Sequence, residues 1–224
     1  MKKIMILMGI LLLSACGKES TTDLLSIKFG KNSVLELVKG EKCAIYPNYV
    51  STSSKKLMMF NGLDLTGSNS NKGMKNSLVL YYKKEDKTIF YYSVQLLDAS
   101  IYKKLLNVLR QRFGKADYRD YRSNASGSID FKHDRPYSYI WEDKIGKRLF
   151  IVVMYGTDNV RLNVMINPST SKEVPGMAHA GCWGDFLYAR NKKKDDSYTY
   201  KQYLEDEKSK ISPARCTIHT KGKE

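Results

Sequence analysis

Proline is scarce in this chain, at five of 224 residues, and histidine scarcer, at three. So little proline excludes a polyproline or collagen-like architecture. The three histidines, His133, His179 and His219, stand far apart. A zinc centre usually takes four ligands in clustered pairs. His179 precedes Cys182 by three residues, but no second pair accompanies it, so no metal and no cofactor is expected. His133-Asp134 reads as a pair on a polar loop. Long apolar runs are also missing: residues 4–13 form the longest candidate, and 149–154 is shorter still. A membrane-crossing helix needs about twenty apolar residues, so neither spans. No Gly-x-Ser-x-Gly elbow, Walker loop or dinucleotide fingerprint occurs. Ser126-Gly127-Ser128 lacks the strand and helix that a nucleophile needs around it. The acidic pairs Asp195-Asp196 and Glu205-Asp206 lie in charged, solvated stretches. The expectation is a protein that is not an enzyme.

What is present begins at the N-terminus. Lys2 and Lys3 are followed by the apolar run 4–13 and then by the small residues Ser14 and Ala15. A positive cap, a short apolar core and a small-residue cleavage site describe an export signal. Leu13-Ser14-Ala15-Cys16 resembles the lipobox of bacterial lipoproteins. The resemblance implies that residues 1–15 are a signal peptide, cut off before Cys16, and that Cys16 carries diacylglycerol and usually an N-acyl chain. Two or three acyl chains hold a protein on a bilayer, because each buried methylene contributes about 0.8 kcal/mol. Gly17 stands where inner-membrane lipoproteins of Gram-negative cells commonly have Asp. The resemblance therefore implies sorting to the outer membrane, facing the periplasm. Residues 16–23 read as a small, polar tether.

Basic residues outnumber acidic ones, 38 to 23, for a formal charge of +15. Loss of Lys2 and Lys3 would lower it to +13. Such an excess attracts anionic partners. For an envelope protein these are lipid headgroups, anionic envelope polymers or an acidic protein, and nucleic acid is not expected. A set of simply solvated lysine faces is the plainer reading of the same excess. Cys43, Cys182 and Cys216 remain once Cys16 takes lipid. An exported protein is permitted disulfides, and Cys182–Cys216 is the expected pair because both lie in one C-terminal segment. Closing a loop of about thirty residues would contribute roughly 3–4 kcal/mol. Cys43 then stays buried, or takes either partner instead.

Along the chain, residues 24–29 read as a first strand, and 33–39 as a short helix capped by Ser33 and stopped by Gly40. Residues 50–56 read as a loop and 57–60 as a strand. Residues 78–83 and 89–96 are rich in β-branched and aromatic residues around a Lys84–Lys87 turn, which predicts a hairpin. Residues 101–113 carry one apolar stripe at helical spacing, from Leu105 to Phe113, with Gly114 as the stop. Residues 137–142, 148–154 and 160–166 predict a three-stranded meander. Tyr137, Tyr139 and Trp141 alternate along its first strand. They read as a buried face over the 101–113 helix, the alternative being a platform for sugar or peptide. The stretch closing that helix with Arg-Phe-Gly-Lys is similar to many small secreted bacterial proteins, a resemblance that brings no known site. Cys182 and Trp183 precede a Lys/Asp loop and a helix near 200–210. The fold class expected is α+β: antiparallel sheet with a packed amphipathic helix in residues 24–167, and a helical, disulfide-linked C-terminal segment in 168–224. The function expected is a non-enzymatic binding module for another envelope component or an incoming protein. An immunity or exclusion lipoprotein is the alternative, followed by a periplasmic hydrolase.

Overall fold

The computed structural model describes residues 21–69, 73–120, 136–155, 159–166 and 182–207. A turn of 3-10 helix at Leu24–Ser26 is followed by α1 (Val34–Leu37) and the short strands β1 (Ala44–Ile45) and β2 (Tyr49–Thr52). Two small ribbons come next: β3 (Met59–Phe60) with β4 (Leu63–Asp64), and β5 (Ser68–Asn69) with β6 (Met74–Lys75). The long hairpin β7 (Ser77–Tyr82) and β8 (Ile89–Leu96) leads into α2 (Ala99–Phe113). Then come β9 (Tyr118–Asp120), β10 (Ser138–Asp143), β11 (Arg148–Met154), β12 (Val160–Ile166), α3 (Cys182–Lys193) and α4 (Tyr200–Asp206). The class is α+β.

One antiparallel sheet of eight strands dominates, in the order β1-β2-β7-β8-β12-β11-β10-β9. The chain leaves β8, runs along α2 to the far edge at β9, and returns strand by strand until β12 pairs with β8. Sequence dictates the crossover. Asp98 accepts the Ser100 N–H and caps α2. Leu105, Leu106 and Leu109 on its inner stripe are buried. Gly114 ends it at φ 78°, a left-handed conformation that glycine adopts without cost. Arg110 and Arg112 stand in its last turn, where the helix dipole favours cations.

The sheet has an apolar layer on each face. Trp141, Phe150, Val164, Tyr92, Leu80 and Val50 lie in one row across five pairings and form the centre of the α2 face. All six belong to one core cluster with α2, α1 and the N-terminal turn. Trp141 also donates its indole N–H to the Gly114 carbonyl, 3.1 Å away, locking the strand to the helix end. On the opposite face Ile140, Leu149, Ile151 and Val153 pack against Trp183, Phe186 and Leu187 of α3 and Tyr200 and Tyr203 of α4. The C-terminal segment is therefore the second cover of the sheet.

The hairpin, the meander, α1 and α2 lie where the sequence places them, with shifts of a residue or two. Three expectations are corrected. Residues 24–29 open with a 3-10 turn instead of a strand, because the Asp23 carboxylate accepts the N–H groups of Leu25, Asn61 and Gly62 and curls the chain around itself. The first three residues of 50–56 are strand, since Val50 and Thr52 alternate into the core and β2 pairs with β7. Of 57–60 only Met59–Phe60 is strand, because Lys55–Leu57 form a 3-10 turn that buries Leu57, while the C-terminal segment is helical as expected, α3 reaching into the Lys/Asp loop. The disulfide in the expected C-terminal segment is not shown. Cys182 opens α3, Cys216 lies outside the described residues, and Cys43 is free and half-buried against the core.

Candidate functional site: a tyrosine-bordered face and a basic groove

The second face of the sheet changes character across its width. Over β10 and β11 it is apolar and lies under α3 and α4. Over β12, β8 and β7 its inward positions are Arg161, Asn163, Ser93, Gln95, Ser77 and Val79 by strand register. A tyrosine ladder borders this polar half. Tyr91, Tyr81 and Tyr49 are aligned across β8, β7 and β2. Their ring centroids are 4.7 Å apart for Tyr81–Tyr91 and 5.7 Å for Tyr49–Tyr81, and Tyr46 stacks on Tyr49 at 4.3 Å. The ladder grades from buried to open: Tyr91 is 1% exposed and Tyr46 is 44% exposed. Offset and tilted rings at these spacings attract one another by about 0.5–1.5 kcal/mol per pair beyond burial.

Asn163 anchors the polar half. It is wholly buried, and its Oδ1 accepts the Tyr91 hydroxyl at 2.7 Å and the Ser93 hydroxyl at 2.9 Å. Two donors on one oxygen fix the orientation of the amide. Burial pushes the Tyr91 phenol up to about 12, so it keeps its proton and goes on donating well above the pH at which a free tyrosine ionises. A cleft of about 120 Å³ opens beside these groups, lined by Tyr81, Tyr91, Ser93, Gln95 and Arg161. Arg161 lies over the Tyr155 ring at 5.3 Å, and among the described residues no carboxylate pairs with it. The Ser93 hydroxyl donates to Asn163, and among the described residues no imidazole or carboxylate bonds to it. The chemistry on offer is recognition: flat rings, fixed hydroxyls and one cation.

A second concavity lies at the end of the sheet where the chain enters. A groove of about 780 Å³ runs between residues 25–31 and the β10–β11 turn. Arg148 builds it. Its guanidinium donates to Asp143 Oδ2 from Nε and Nη2, at 3.2 and 2.9 Å, and from Nη1 to the Leu25 carbonyl at 2.6 Å. The Gly146 N–H donates to the other Asp143 oxygen at 2.8 Å. A Cβ on Gly146 would stand 2.2 Å from that carboxylate, so any other residue there must push Asp143 out of its present position beside Arg148.

Of the residues singled out from sequence, Cys16, Cys216, His133, Asp134, His179, His219 and Ser126 to Ser128 lie outside the described residues. Asp195 accepts the Ser197 N–H and hydroxyl, and that hydrogen bonding holds its carboxyl below the usual range. Asp206 accepts from Lys193 at 2.6 Å and Tyr198 at 2.7 Å. Neither acidic pair forms a dyad, and among the described residues no cluster of metal-ligating side chains occurs. Tyr139 and Trp141 stack at 5.9 Å in the α2 core, while Tyr137 packs against the other cluster. The aromatic platform is thus carried by other strands. Its signal was the alternation Tyr91-Ser93-Gln95, which puts one polar side chain after another on a single face. Comparison with known protein families, with characterised proteins and with solved structures yields no match.

Proposed function

We propose that the chain is a lipid-anchored envelope lipoprotein that works as a non-enzymatic binding module. Lipid on Cys16 would hold it at the outer membrane facing the periplasm, and the tyrosine-bordered face would meet another envelope component or an incoming protein. The observation that carries the binding reading is the ladder Tyr46-Tyr49-Tyr81-Tyr91 beside Arg161. Rigid aromatic rings bring large contact area at small entropic cost, and an arginine adds a directional cation; both are enriched where proteins recognise partners. An acidic group on the partner suits Arg161.

The test is recovery of partners with the native, lipidated protein from its own cells, compared with the double variant Tyr81→Ser, Arg161→Ala. A partner held by this face is lost from the variant, which keeps a single cooperative urea transition at a midpoint lowered by the two ring pairs that Tyr81 makes. Equal recovery by both proteins would remove the face from the proposal. The Cys182–Cys216 bridge belongs to the same reading of an exported protein. Alkylation of the unreduced mature protein followed by peptide mapping checks it: both thiols protected together is the expected result, and both alkylated is the result that excludes the bridge.

A further inference from the structure

We infer that the end of the sheet carrying the β10–β11 turn is a second membrane contact, a protein surface that rests on anionic phospholipid headgroups. The inference rests on the lipoprotein reading for its geometry, and adds a face to the anchor. Ile145 occupies the tip of the turn and is 99% exposed. An isoleucine held fully in water gains nothing for the fold. Here it projects between Lys144 and Lys147, both exposed. Ile166, at the end of β12 and on the wall of the same groove, is 43% exposed.

Strand register brings further lysines to this end. β7 and β8 are joined here, with Lys83 and Lys84 exposed in their turn. The entering chain crosses the same end, its Gly30 N–H donating to the Ile89 carbonyl at 2.9 Å, and contributes Lys28 and Lys31, also exposed. None of these six lysines forms an ion pair with a described residue. The acidic groups facing them are few. Asp143 is taken up by Arg148 and Glu142 by Arg190, Asp86 accepts from Thr88, Asp117 accepts the Glu142 N–H and lies within the field of Lys144, and Glu85 and Glu36 remain. A cationic rim around a protruding aliphatic side chain is the pattern of a surface that sits in the headgroup layer. Each lysine near an anionic bilayer contributes about as much as a fivefold change in partitioning.

Chain length makes the contact reachable. Cys16 stands nine residues before Leu25, which lines the groove. Nine residues extend to about 30 Å at most. An acylated Cys16 therefore keeps this end of the sheet within that distance of the bilayer. The occupant is the membrane itself, at the face closest to where the chain is tethered.

The experiment uses the mature protein purified from its own membranes and carrying Ile145→Trp. Mass spectrometry of Cys16 reads the anchor separately. The protein is then placed on vesicles of phosphatidylglycerol and phosphatidylcholine, or of phosphatidylcholine alone, each with brominated acyl chains that quench indole at shallow depth. The native Trp141 and Trp183, 1% and 2% exposed, supply a protected background. Expected is quenching beyond that background on the anionic vesicles, weakened but still above the zwitterionic level when Lys144→Ala and Lys147→Ala are added, because those two lysines carry roughly thirty-fold of the headgroup attraction and four remain. Acylated protein whose introduced indole is quenched no more than the background overturns the face and leaves the anchor standing. Unacylated protein that binds the anionic vesicles and is quenched supports the face and removes the anchor.

Discussion

Tyr91 illustrates how one side chain serves two neighbours. Its ring extends the tyrosine ladder and its hydroxyl holds Asn163. Its phenol is pushed up to about 12 by burial, opposed by the hydrogen bond with Ser93 and by the Arg161 charge. An unfolded tyrosine titrates near 10. Below pH 10 both states keep the proton and Tyr91 leaves stability unchanged with pH. Between pH 10 and 12 the unfolded chain gives up its proton while the folded one retains it, so stability falls. The share from this residue is about 2–3 kcal/mol across that window. Tyr81 and Tyr92 are also raised by burial and add to the fall. Urea midpoints measured from pH 9 to 12 should decline for the parent protein and decline less for Tyr91→Phe. An unchanged alkaline slope in that variant would place the titration elsewhere. None of this was legible in sequence, where Tyr91 is one of 16 tyrosines. Only the pairing with β12, some seventy residues later, brings Asn163 to it.

Among the elements, α2 was the easiest to read and α3 the hardest, for a physical reason. The stripe of α2 faces a single apolar layer and repeats at helical spacing, so the pattern declares the helix. In α3 the buried residues are Trp183, Phe186 and Leu187, followed by a run of polar and basic side chains. A short buried patch with no repeat is hard to tell from a loop. Its helicity is set by what it covers. Trp183 packs with Phe186 at 4.8 Å, Tyr200 at 5.4 Å and Tyr118 at 5.9 Å, over the apolar half of the second face. Tyr200 begins α4, whose Thr199 and Gln202 form a capping box. Trp183→Ala should therefore cost about 3–5 kcal/mol, with a single cooperative loss of near-ultraviolet dichroism in urea. A change under 1 kcal/mol would show that α3 is an appendage and not a cover.

At the scale of the whole molecule, the succession of strand-rich, helical and strand-rich stretches foretold the class of fold and left its layout open. Runs of β-branched and aromatic residues in 78–83, 89–96 and 148–154 announced strands, and the turns between them announced hairpins. That two hairpin systems merge into one sheet was not readable, because strand pairing between β8 and β12 depends on side chains that meet only after α2 has crossed to the far edge. The site divided the same way. The proposed anchor at Cys16 rests on a short linear motif, whereas the ladder and the basic end are assembled from distant segments by register.

That closing pair has a consequence for how the protein comes into being. β8 is eight residues long and its outer edge is completed only by β12, the last strand of the sheet. A chain that emerges N-terminus first exposes this unpaired edge while some sixty further residues are still in transit. Loop closure over such separations is slow, and an open apolar edge is the place where neighbouring chains adhere. The pairing that completes the fold thus also sets its period of greatest vulnerability, and makes β12 the strand whose arrival decides between a finished sheet and an aggregate.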